Sequence, residues 1–264
     1  MKNVLITGSA GGMGKATAEL LSKNGYNVFG LDLKKTDDTL NMTQIICDIT
    51  DIKSVENAFN IVKSKVDKLD AIINFAGIIM MNSLVEISEE EFIKIFNINV
   101  FGAYRVNKIF LPLILNNHGK IIITTSEVAE NKILPFNGIY GITKKSLDAY
   151  AEGLTHELGL LGVDVVRIRP GAVDTGLIDL SSNTLSKMEQ NTYLYKDIVH
   201  KFKKIVDSEQ SGTIPAITIA KLVLKILNKR KVKPVYKKNI SAKLKLLNML
   251  PTNTQLWVYK KLLK

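Results

Sequence analysis

The stretch that most constrains the fold is a run of small residues near the N-terminus, Gly8-Ser9-Ala10-Gly11-Gly12-Met13-Gly14. It follows a short apolar run, Asn3 to Thr7, and precedes a helical pattern of apolar residues that ends at Asn24-Gly25. Small residues between a strand and a helix let the backbone approach a pyrophosphate, whose charge then meets the helix N-terminus. The order of strand, loop and helix therefore predicts a dinucleotide site rather than an ordinary turn.

A second apolar run, from Asn27 to Leu31, ends at an acidic residue, Asp32. A carboxylate at this point accepts hydrogen bonds from the adenosine ribose hydroxyls and repels a 2′-phosphate. The position predicts NAD as the cofactor. NADP is the alternative, because Lys34 and Lys35 follow closely and can pair with a 2′-phosphate.

Strands and helices continue to alternate along the chain. Apolar, β-branched runs predict strands at 44–47, 70–74, 120–124 and 163–168, and helical patterns occur at 52–66, 88–115, 138–161 and 214–227. A last strand at 231–236 is expected at a sheet edge because it contains Pro234. The alternation predicts a single α/β domain of the Rossmann type, with a doubly wound parallel sheet covered by helices on both faces.

Ligands of such sheets bind at the carboxyl ends of the strands. The residues that follow the predicted strands there are Gly8, Asp32, Asp48, Asn74, Ser126 and Pro170. Their shared position predicts that they belong to one site.

Tyr140 and Lys144 lie four residues apart on the predicted helix 138–161, and therefore on one face of it. An ammonium beside a phenol favours the phenolate, so the pair predicts a tyrosine whose pKa lies well below its ordinary value. A serine hydroxyl next to the phenol, from Ser126, would hold a carbonyl or alcohol oxygen. The competing interpretation is an exposed Tyr/Lys pair on an ordinary helix.

At these residues the sequence resembles the short-chain dehydrogenase/reductase family, from Val4 to Thr175. The matching motifs are Thr7-Gly8-x-x-x-Gly12-x-Gly14, Asn74-Phe75-Ala76-Gly77, Asn99-Val100-Phe101-Gly102, the set Ser126, Tyr140 and Lys144, and Arg169-Pro170-Gly171-Ala172-Val173-Asp174-Thr175. Two departures occur. Phe75 replaces an asparagine of the family's NNAG motif, and Ser126 lies one residue farther from Tyr140 than is usual, which puts Glu127 at the usual spacing.

The resemblance implies a catalytic role for four residues. Tyr140 would be the general acid in reduction and the base in oxidation. Lys144 would lower the pKa of Tyr140 and bind the nicotinamide ribose, Ser126 would orient the substrate oxygen, and Asn99 would order a water relay. Gly11 occupies a place where NADP-using members often carry a basic residue, which again favours NAD.

The same resemblance implies a set of cofactor-binding residues along the carboxyl edge of the sheet. They are Gly8, Ser9, Gly11, Gly12, Met13, Gly14, Asp32, Asp48, Ile49, Asn74, Ala76, Gly77, Tyr140, Lys144, Pro170, Gly171, Val173 and Thr175.

The C-terminal end of the chain is strongly basic. Residues 210–264 hold thirteen Lys and Arg and no Asp or Glu, whereas the rest of the chain holds 23 basic and 25 acidic residues. The near-neutral body argues against nucleic-acid binding. We therefore divide the chain into a catalytic domain, 1–233, with a polar, mobile substrate flap at 179–212, and a basic amphipathic extension, 234–264.

The extension predicts two short helices broken at Pro251, rich in leucine and lysine and carrying Trp257. This composition suits a helix that lies on a membrane surface. The alternative is that its leucines pack on the body, cover the substrate pocket or form a subunit contact. The extension also resembles that of family members acting on lipophilic alcohols and ketones, such as retinoid- and steroid-type dehydrogenases.

The favoured hypothesis is an NAD(P)-dependent oxidoreductase that interconverts a secondary alcohol and a ketone, with a small-molecule substrate that is either lipophilic or short. The alternatives are a cofactor-binding regulator without turnover and a membrane-surface protein. A single cysteine, Cys47, fits a reducing compartment, so we expect a cytoplasmic protein, peripheral on a membrane if the extension binds lipid. His118, His156 and His200 show no ligand spacing, so no metal is expected. The family resemblance implies a homo-oligomer.

Overall fold

Seven parallel strands form the central sheet of the computed structural model, which describes residues 1–34, 36–115, 117–209 and 212–263. Numbered along the chain, the strands are β1 (Asn3–Thr7), β2 (Asn27–Asp32), β3 (Met42–Ile46), β4 (Ala71–Asn74), β5 (Lys120–Thr124), β6 (Asp164–Pro170), β7 (Val173–Asp174), β8 (Ile214–Pro215) and β9 (Val235–Lys238). The sheet order is β3-β2-β1-β4-β5-β6-β9, and β7 pairs with β8 separately.

The helices that connect the strands are α1 (Gly12–Lys23), α2 (Ile52–Lys63), α3 (Glu89–Phe96), α4 (Ala103–Leu115), α5 (Gly138–Gly159), α6 (Gly176–Asn191), α7 (Lys196–Glu209), α8 (Ala216–Leu227), α9 (Ala242–Met249) and α10 (Thr252–Leu263). A π-helical turn, Asn97–Gly102, joins α3 to α4. The predicted helix 88–115 is therefore interrupted by this turn, and Ser88 caps its start by accepting a hydrogen bond from the Glu91 amide.

Successive residues of each strand enter the two opposite core layers of the molecule. Leu5 of β1 packs in one layer with residues of α2, α4 and α5, such as Phe110, whereas Val4 and Ile6 pack in the other with α1 and α8. Both faces of the sheet are thus buried, which explains the continuous apolar strands. The prediction of a Rossmann-type, doubly wound parallel sheet is confirmed.

The strand order reverses at β1, which lies between β2 and β4. Crevices at such a reversal, outside the carboxyl ends of the strands, are where open α/β sheets bind ligands. Here the reversal places the loop after β1 next to the loop after β4.

One helical stretch within the described residues, Glu89–Leu115, has the length and composition to cross a membrane. Length and composition alone are weak evidence, because core helices pass the same test. Val106, Phe110 and Ile114 of this stretch are fully buried against the sheet, so it serves as a core helix of this fold.

The C-terminal half differs from the prediction in two places. Residues 179–212 lie largely in α6 and α7, helices that the polar sequence did not indicate. Strand β9 begins at Val235 and pairs with β6 at the sheet edge, as Pro234 suggested, so part of the proposed extension completes the sheet. Helices α9 and α10, broken at Pro251, confirm the predicted helical pair. Lys35, Asn116, Gln210, Ser211 and Lys264 lie outside the described residues.

Candidate active site

The glycine loop after β1 is shaped by positions that admit no side chain. Gly8 has φ +71°, and a Cβ there would lie 2.9 Å from the backbone nitrogen of Ala76. A Cβ on Gly14 would lie 2.0 Å from the carbonyl oxygen of Gly8. The loop therefore turns tightly into α1 and touches the loop after β4, as a pyrophosphate cradle requires.

Asp32 at the end of β2 is half-buried and holds the glycine loop in place. Its Oδ2 accepts a hydrogen bond from the Ala10 amide at 2.9 Å, and its Oδ1 accepts one from the Lys34 amide at 3.0 Å. Since a carboxylate has about four lone-pair sites, it can still accept hydrogen bonds from a ribose. Lys35, the other basic residue considered for a 2′-phosphate, lies outside the described residues.

A cavity of about 800 Å³ lies at the carboxyl ends of β1, β2 and β4. Of the predicted cofactor-binding residues it is lined by Gly8, Gly11, Gly12, Met13, Gly14, Asp32, Asp48, Ile49, Ala76, Gly77 and Thr175. The volume is within the range of about 300–1,000 Å³ that ligand pockets occupy. With a glycine cradle at the N-terminus of α1 and no acidic residue in that helix's first turn, the cavity fits a dinucleotide.

The other predicted cofactor-binding residues lie outside that lining. They are Ser9, Asn74, Tyr140, Lys144, Pro170, Gly171 and Val173. Ser9 is buried and donates to Gln44 Oε1 at 2.9 Å, and Asn74 is buried and donates to Asn107 Oδ1 at 2.8 Å. Both side chains therefore brace the fold around the cavity.

The first turns of α5 carry Tyr140 and Lys144 one turn apart. The Lys144 Nζ lies 5.8 Å from the centre of the Tyr140 ring and donates to the Thr124 carbonyl at 3.3 Å. A Cβ on Gly77 would lie 3.1 Å from Asn99 Oδ1 and 3.6 Å from Lys144 Nζ. Gly77 lines the cavity, so Asn99 and Lys144 lie at the edge of the cavity.

Asn99 lies in the π-helical turn and is buried. Its Nδ2 donates to the Ile78 carbonyl and to Thr143 Oγ1, while its Oδ1 accepts from the Ile78 amide at 2.8 Å. These bonds tie the loop after β4 to α5. The side chain of Asn99 is therefore a brace between the cofactor cavity and the helix of Tyr140, and its water relay stays a prediction.

Ser126 caps a short 3₁₀ helix, Glu127–Ala129, after β5 and is buried. The Ser126 side chain lies close enough to the Tyr140 phenol to lower the pKa of Tyr140. The neighbouring Glu127 carboxylate instead accepts the backbone amide of Ser241 at 2.8 Å. This geometry favours Ser126 over Glu127 as the serine of the motif, despite the longer spacing.

The prediction that Tyr140 has a lowered pKa is wrong for this structure. Burial raises the pKa of Tyr140 to about 12, since the nearby Ser126 side chain lowers it only in part and the Glu127 charge raises it further. Burial also lowers the pKa of Lys144 to about 8. The apolar surroundings that bring the two groups together thus disfavour the charged form of each.

A buried ionic network beside Ser126 was not anticipated from the sequence. Asp148 of α5 accepts from Thr125 Oγ1 at 3.0 Å, from Arg167 at 3.1 Å and from Arg169 at 2.9 Å. Arg169 also pairs with Glu130. The network locks the end of β6 and the residue before Ser126 onto the helix of Tyr140. The sequence feature that indicates the network is a pair of arginines, Arg167 and Arg169, on one face of an apolar strand.

A family model described as short chain dehydrogenase matches residues 2–186. A 3-ketodihydrosphingosine reductase of Bacteroides thetaiotaomicron is 27% identical over 227 residues, 86% of this chain and 84% of that protein. An uncharacterised oxidoreductase of Escherichia coli K12, YbbO, is 32% identical over 191 residues, 70% of this chain and 71% of that protein.

A solved structure with the same fold is a short chain dehydrogenase/reductase of Burkholderia phymatum in complex with NAD. It superposes with a TM-score of 0.79 at 22% identity and covers 97% of this chain and 95% of that one.

We expect Lys144→Met to stabilise the fold at neutral pH. The folded-state pKa of Lys144, about 8, lies below its ordinary value of 10.5. Between these two pKa values the unfolded chain therefore binds more protons than the folded chain. The stability of the wild type rises with pH across this range. At pH 7 the free energy of unfolding of the variant should exceed that of the wild type by about 2 kcal/mol. This figure already allows for the loss of the hydrogen bond from Lys144 to the Thr124 carbonyl.

Urea unfolding of both proteins between pH 7 and 11 measures this effect. The gain should shrink as the pH rises from about 8 to 10.5 and be absent above that. Lys145→Met is the matched control, because Lys145 is less buried and also donates to a carbonyl, that of Ala129. A variant less stable than wild type at pH 7 would contradict the account.

Proposed function

The chain belongs to the short-chain dehydrogenase family, and from that premise we propose that it is an NAD(P)-dependent oxidoreductase that interconverts a secondary alcohol and a ketone. One observation carries the proposal. Tyr140, beside the Ser126 side chain, lies one helical turn from Lys144, whose ammonium lies beside Gly77 at the wall of the dinucleotide cavity.

A bound nicotinamide supplies or accepts the hydride. Tyr140 moves the proton at the substrate oxygen, as acid in reduction and as base in oxidation. With a pKa of about 12 the phenol keeps its proton at neutral pH, which suits reduction of a ketone. Ser126 orients the substrate oxygen, and Lys144 supplies positive charge beside the developing phenolate. Each role rests on the position of the side chain in the site.

NAD is the proposed cofactor, with NADP as the alternative. The Asp32 carboxylate at the end of β2 lines the cavity and repels a 2′-phosphate. Gly11 leaves the glycine loop without a basic side chain at that point, and the Burkholderia neighbour is a complex with NAD. Pro170 ends β6, and Gly171, Val173 and Thr175 follow that strand. All four residues are assigned to the nicotinamide end of the site.

The substrate is proposed to be lipophilic, and the extension to contact an anionic membrane surface. The Bacteroides relative is named for reduction of 3-ketodihydrosphingosine. Met249 of α9 is 76% exposed and Trp257 of α10 is 59% exposed, with Lys261 lying 5.2 Å from the Trp257 ring. Exposed apolar side chains among lysines suit an interfacial helix on anionic lipid.

A cytoplasmic location, peripheral on a membrane, follows from this proposal. A homo-oligomer is also proposed. Its support is the exposure of Phe101, in the π-helical turn that carries Asn99, and of Tyr104, at the start of α4. The competing functions are a regulator that binds the cofactor without turnover and a membrane-surface protein whose dinucleotide fold is structural. Both alternatives leave the buried Ser126–Tyr140 pair without a role.

We expect Tyr140→Phe to lower kcat/KM for ketone reduction by about 10²–10⁴-fold, because it removes the proton donor. The dissociation constant of NADH, measured by fluorescence titration, should change little. Tyr26→Phe is the control, since the Tyr26 hydroxyl donates to Asn228 Oδ1 at 2.9 Å before the start of β2, at the edge of the sheet opposite the site. Equal turnover in wild type and Tyr140→Phe would refute the role of Tyr140.

NADH is expected to bind at least tenfold more tightly than NADPH, because the Asp32 carboxylate repels the 2′-phosphate. Asp32→Asn removes the charge and keeps the size of the side chain nearly constant. It should therefore reduce the preference for NADH, so that the dissociation constants of NADH and NADPH become more alike. Isothermal titration of both nucleotides into both proteins measures this. Tighter binding of NADPH to the wild type would overturn the choice of NAD.

Vesicle flotation tests the membrane proposal with the full chain. We expect the wild type to float with vesicles rich in phosphatidylglycerol, and Met249→Asp/Trp257→Asp to float several-fold less, because charges replace exposed apolar contacts. Leu160→Asp, at a residue 88% exposed after α5, is the control for surface charge. Equal flotation of all three proteins would contradict the proposal that the extension binds a membrane.

A further inference from the structure

Glu127 directly follows Ser126, and its side chain is a charged group that the proposed reaction does not use. The side chain is partly buried, and this burial raises the pKa of its carboxyl. None of the ion pairs within the described part of the chain includes it. A carboxylate that leaves water without a cationic partner costs free energy, so its position needs an explanation.

The Glu127 carboxylate joins three segments of the chain. Its Oε2 accepts a hydrogen bond at 2.8 Å from the amide of Ser241, the residue that caps the start of α9. A Cβ on Gly171, in the loop after β6, would lie 3.0 Å from its Oε1. The loop that carries Ser126, the loop after β6 and the C-terminal extension therefore meet at one side chain.

The extension packs closely against the loop after β6 at the same place. The Gly171 amide donates to the Lys238 carbonyl at 2.8 Å, and the Asn239 carbonyl oxygen occupies the place that a Cβ on Gly171 would need. Asn239 Nδ2 donates in turn to the Ala172 carbonyl at 2.8 Å. Because these contacts leave the two segments little room to move independently, the extension is a firm support for Glu127.

Two cations on the neighbouring strands pair with a different carboxylate. Arg169 of β6 and Lys237 of β9 both pair with Glu130. On α5, Tyr140 lies near enough for the Glu127 charge to raise the pKa of its phenol. The Glu127 carboxylate therefore favours a phenol that keeps its proton, which is the form that donates to a ketone oxygen.

We propose that Glu127 is a positioning residue of the reaction, whose carboxylate holds the loop of Ser126 beside Tyr140. Its hydrogen bond to the Ser241 amide fixes the loop, and its charge keeps the phenol protonated. The proposal rests on the proposed function, because it gives Glu127 a part in the proton transfer at Tyr140. The contacts with Ser241 and Gly171 carry it, since they place the carboxylate between the serine loop and the nicotinamide end of the site.

Two substitutions of Glu127 separate the effect of its hydrogen bond from that of its charge. Glu127→Ala removes the acceptor of the Ser241 amide, so we expect kcat for NADH-dependent ketone reduction at pH 7 to fall by about 10- to 100-fold, because Ser126 loses its support. Glu127→Gln keeps an oxygen acceptor and should restore most of the wild-type kcat. The dissociation constant of NADH, measured by fluorescence titration, should change little in both variants.

The pH dependence of alcohol oxidation measures the effect of the charge. In Glu127→Gln the rise of kcat/KM with pH should occur at a pH lower by at least about half a unit, because the phenol then loses its proton more easily. Glu157→Gln, in the last turn of the same helix, removes an exposed carboxylate and should leave the profile unchanged.

Lys132→Met is the control for a weaker attachment of the extension, because it removes the hydrogen bond from Lys132 Nζ to the Leu250 carbonyl. It should keep the kcat of the wild type. Equal kcat in wild type and Glu127→Ala would overturn the proposal, and so would a pH profile of Glu127→Gln that matches the wild type. A loss of kcat in Lys132→Met as large as that in Glu127→Ala would also overturn it, because any loosening of the extension would then suffice.

Hydrogen exchange separates failure of this proposal from failure of the proposed function. The Ser241 amide should exchange at least about tenfold faster in Glu127→Ala than in the wild type, whether or not the protein turns over a substrate. Unchanged exchange would show that Glu127 does not hold the loop and would overturn the proposal even if ketones are reduced. Faster exchange in a protein whose wild type reduces no ketone would refute the oxidoreductase, and with it the part of Glu127 in proton transfer.

Discussion

The close approach of the loops after β1 and β4 is the constraint on which the site depends. Gly8 meets the backbone of Ala76 across this junction, and Gly77 leaves room for Asn99 and Lys144. Either loop alone would be a turn at a sheet edge. Because the strand order reverses at β1, the two loops form one crevice in which the cofactor cavity and the helix of Tyr140 share a wall.

Burial sets the electrostatics of that wall. The phenol of Tyr140 and the ammonium of Lys144 are both desolvated, so the pKa of the first rises to about 12 and that of the second falls to about 8. A protonated phenol is the form that donates to a ketone oxygen, and an ammonium close to losing its proton responds strongly to charge that develops beside it. The buried lysine costs stability, which is a common property of active sites.

The sequence predicted the parallel sheet, the glycine loop and the helix of Tyr140 correctly, because apolar periodicity and glycine spacing record local geometry. It predicted the wrong direction for the pKa of Tyr140, since the desolvation of a side chain depends on tertiary packing, which a local sequence pattern does not record. Helices α6 and α7 escaped prediction because their sequence is polar. The Asp148 network joins α5 to β6 and to the residue after β5, and no local pattern records such contacts.

The central claim is that hydride passes between a nicotinamide and a substrate carbon next to Tyr140. Incubation of the protein with a lipophilic ketone and NADH deuterated at C4 of the nicotinamide, followed by mass spectrometry of the alcohol, tests it most directly. The account predicts one deuterium on the carbinol carbon, from one face of the nicotinamide only. Tight binding of NADH with no deuterium in any alcohol would contradict it and would favour a cofactor-binding regulator.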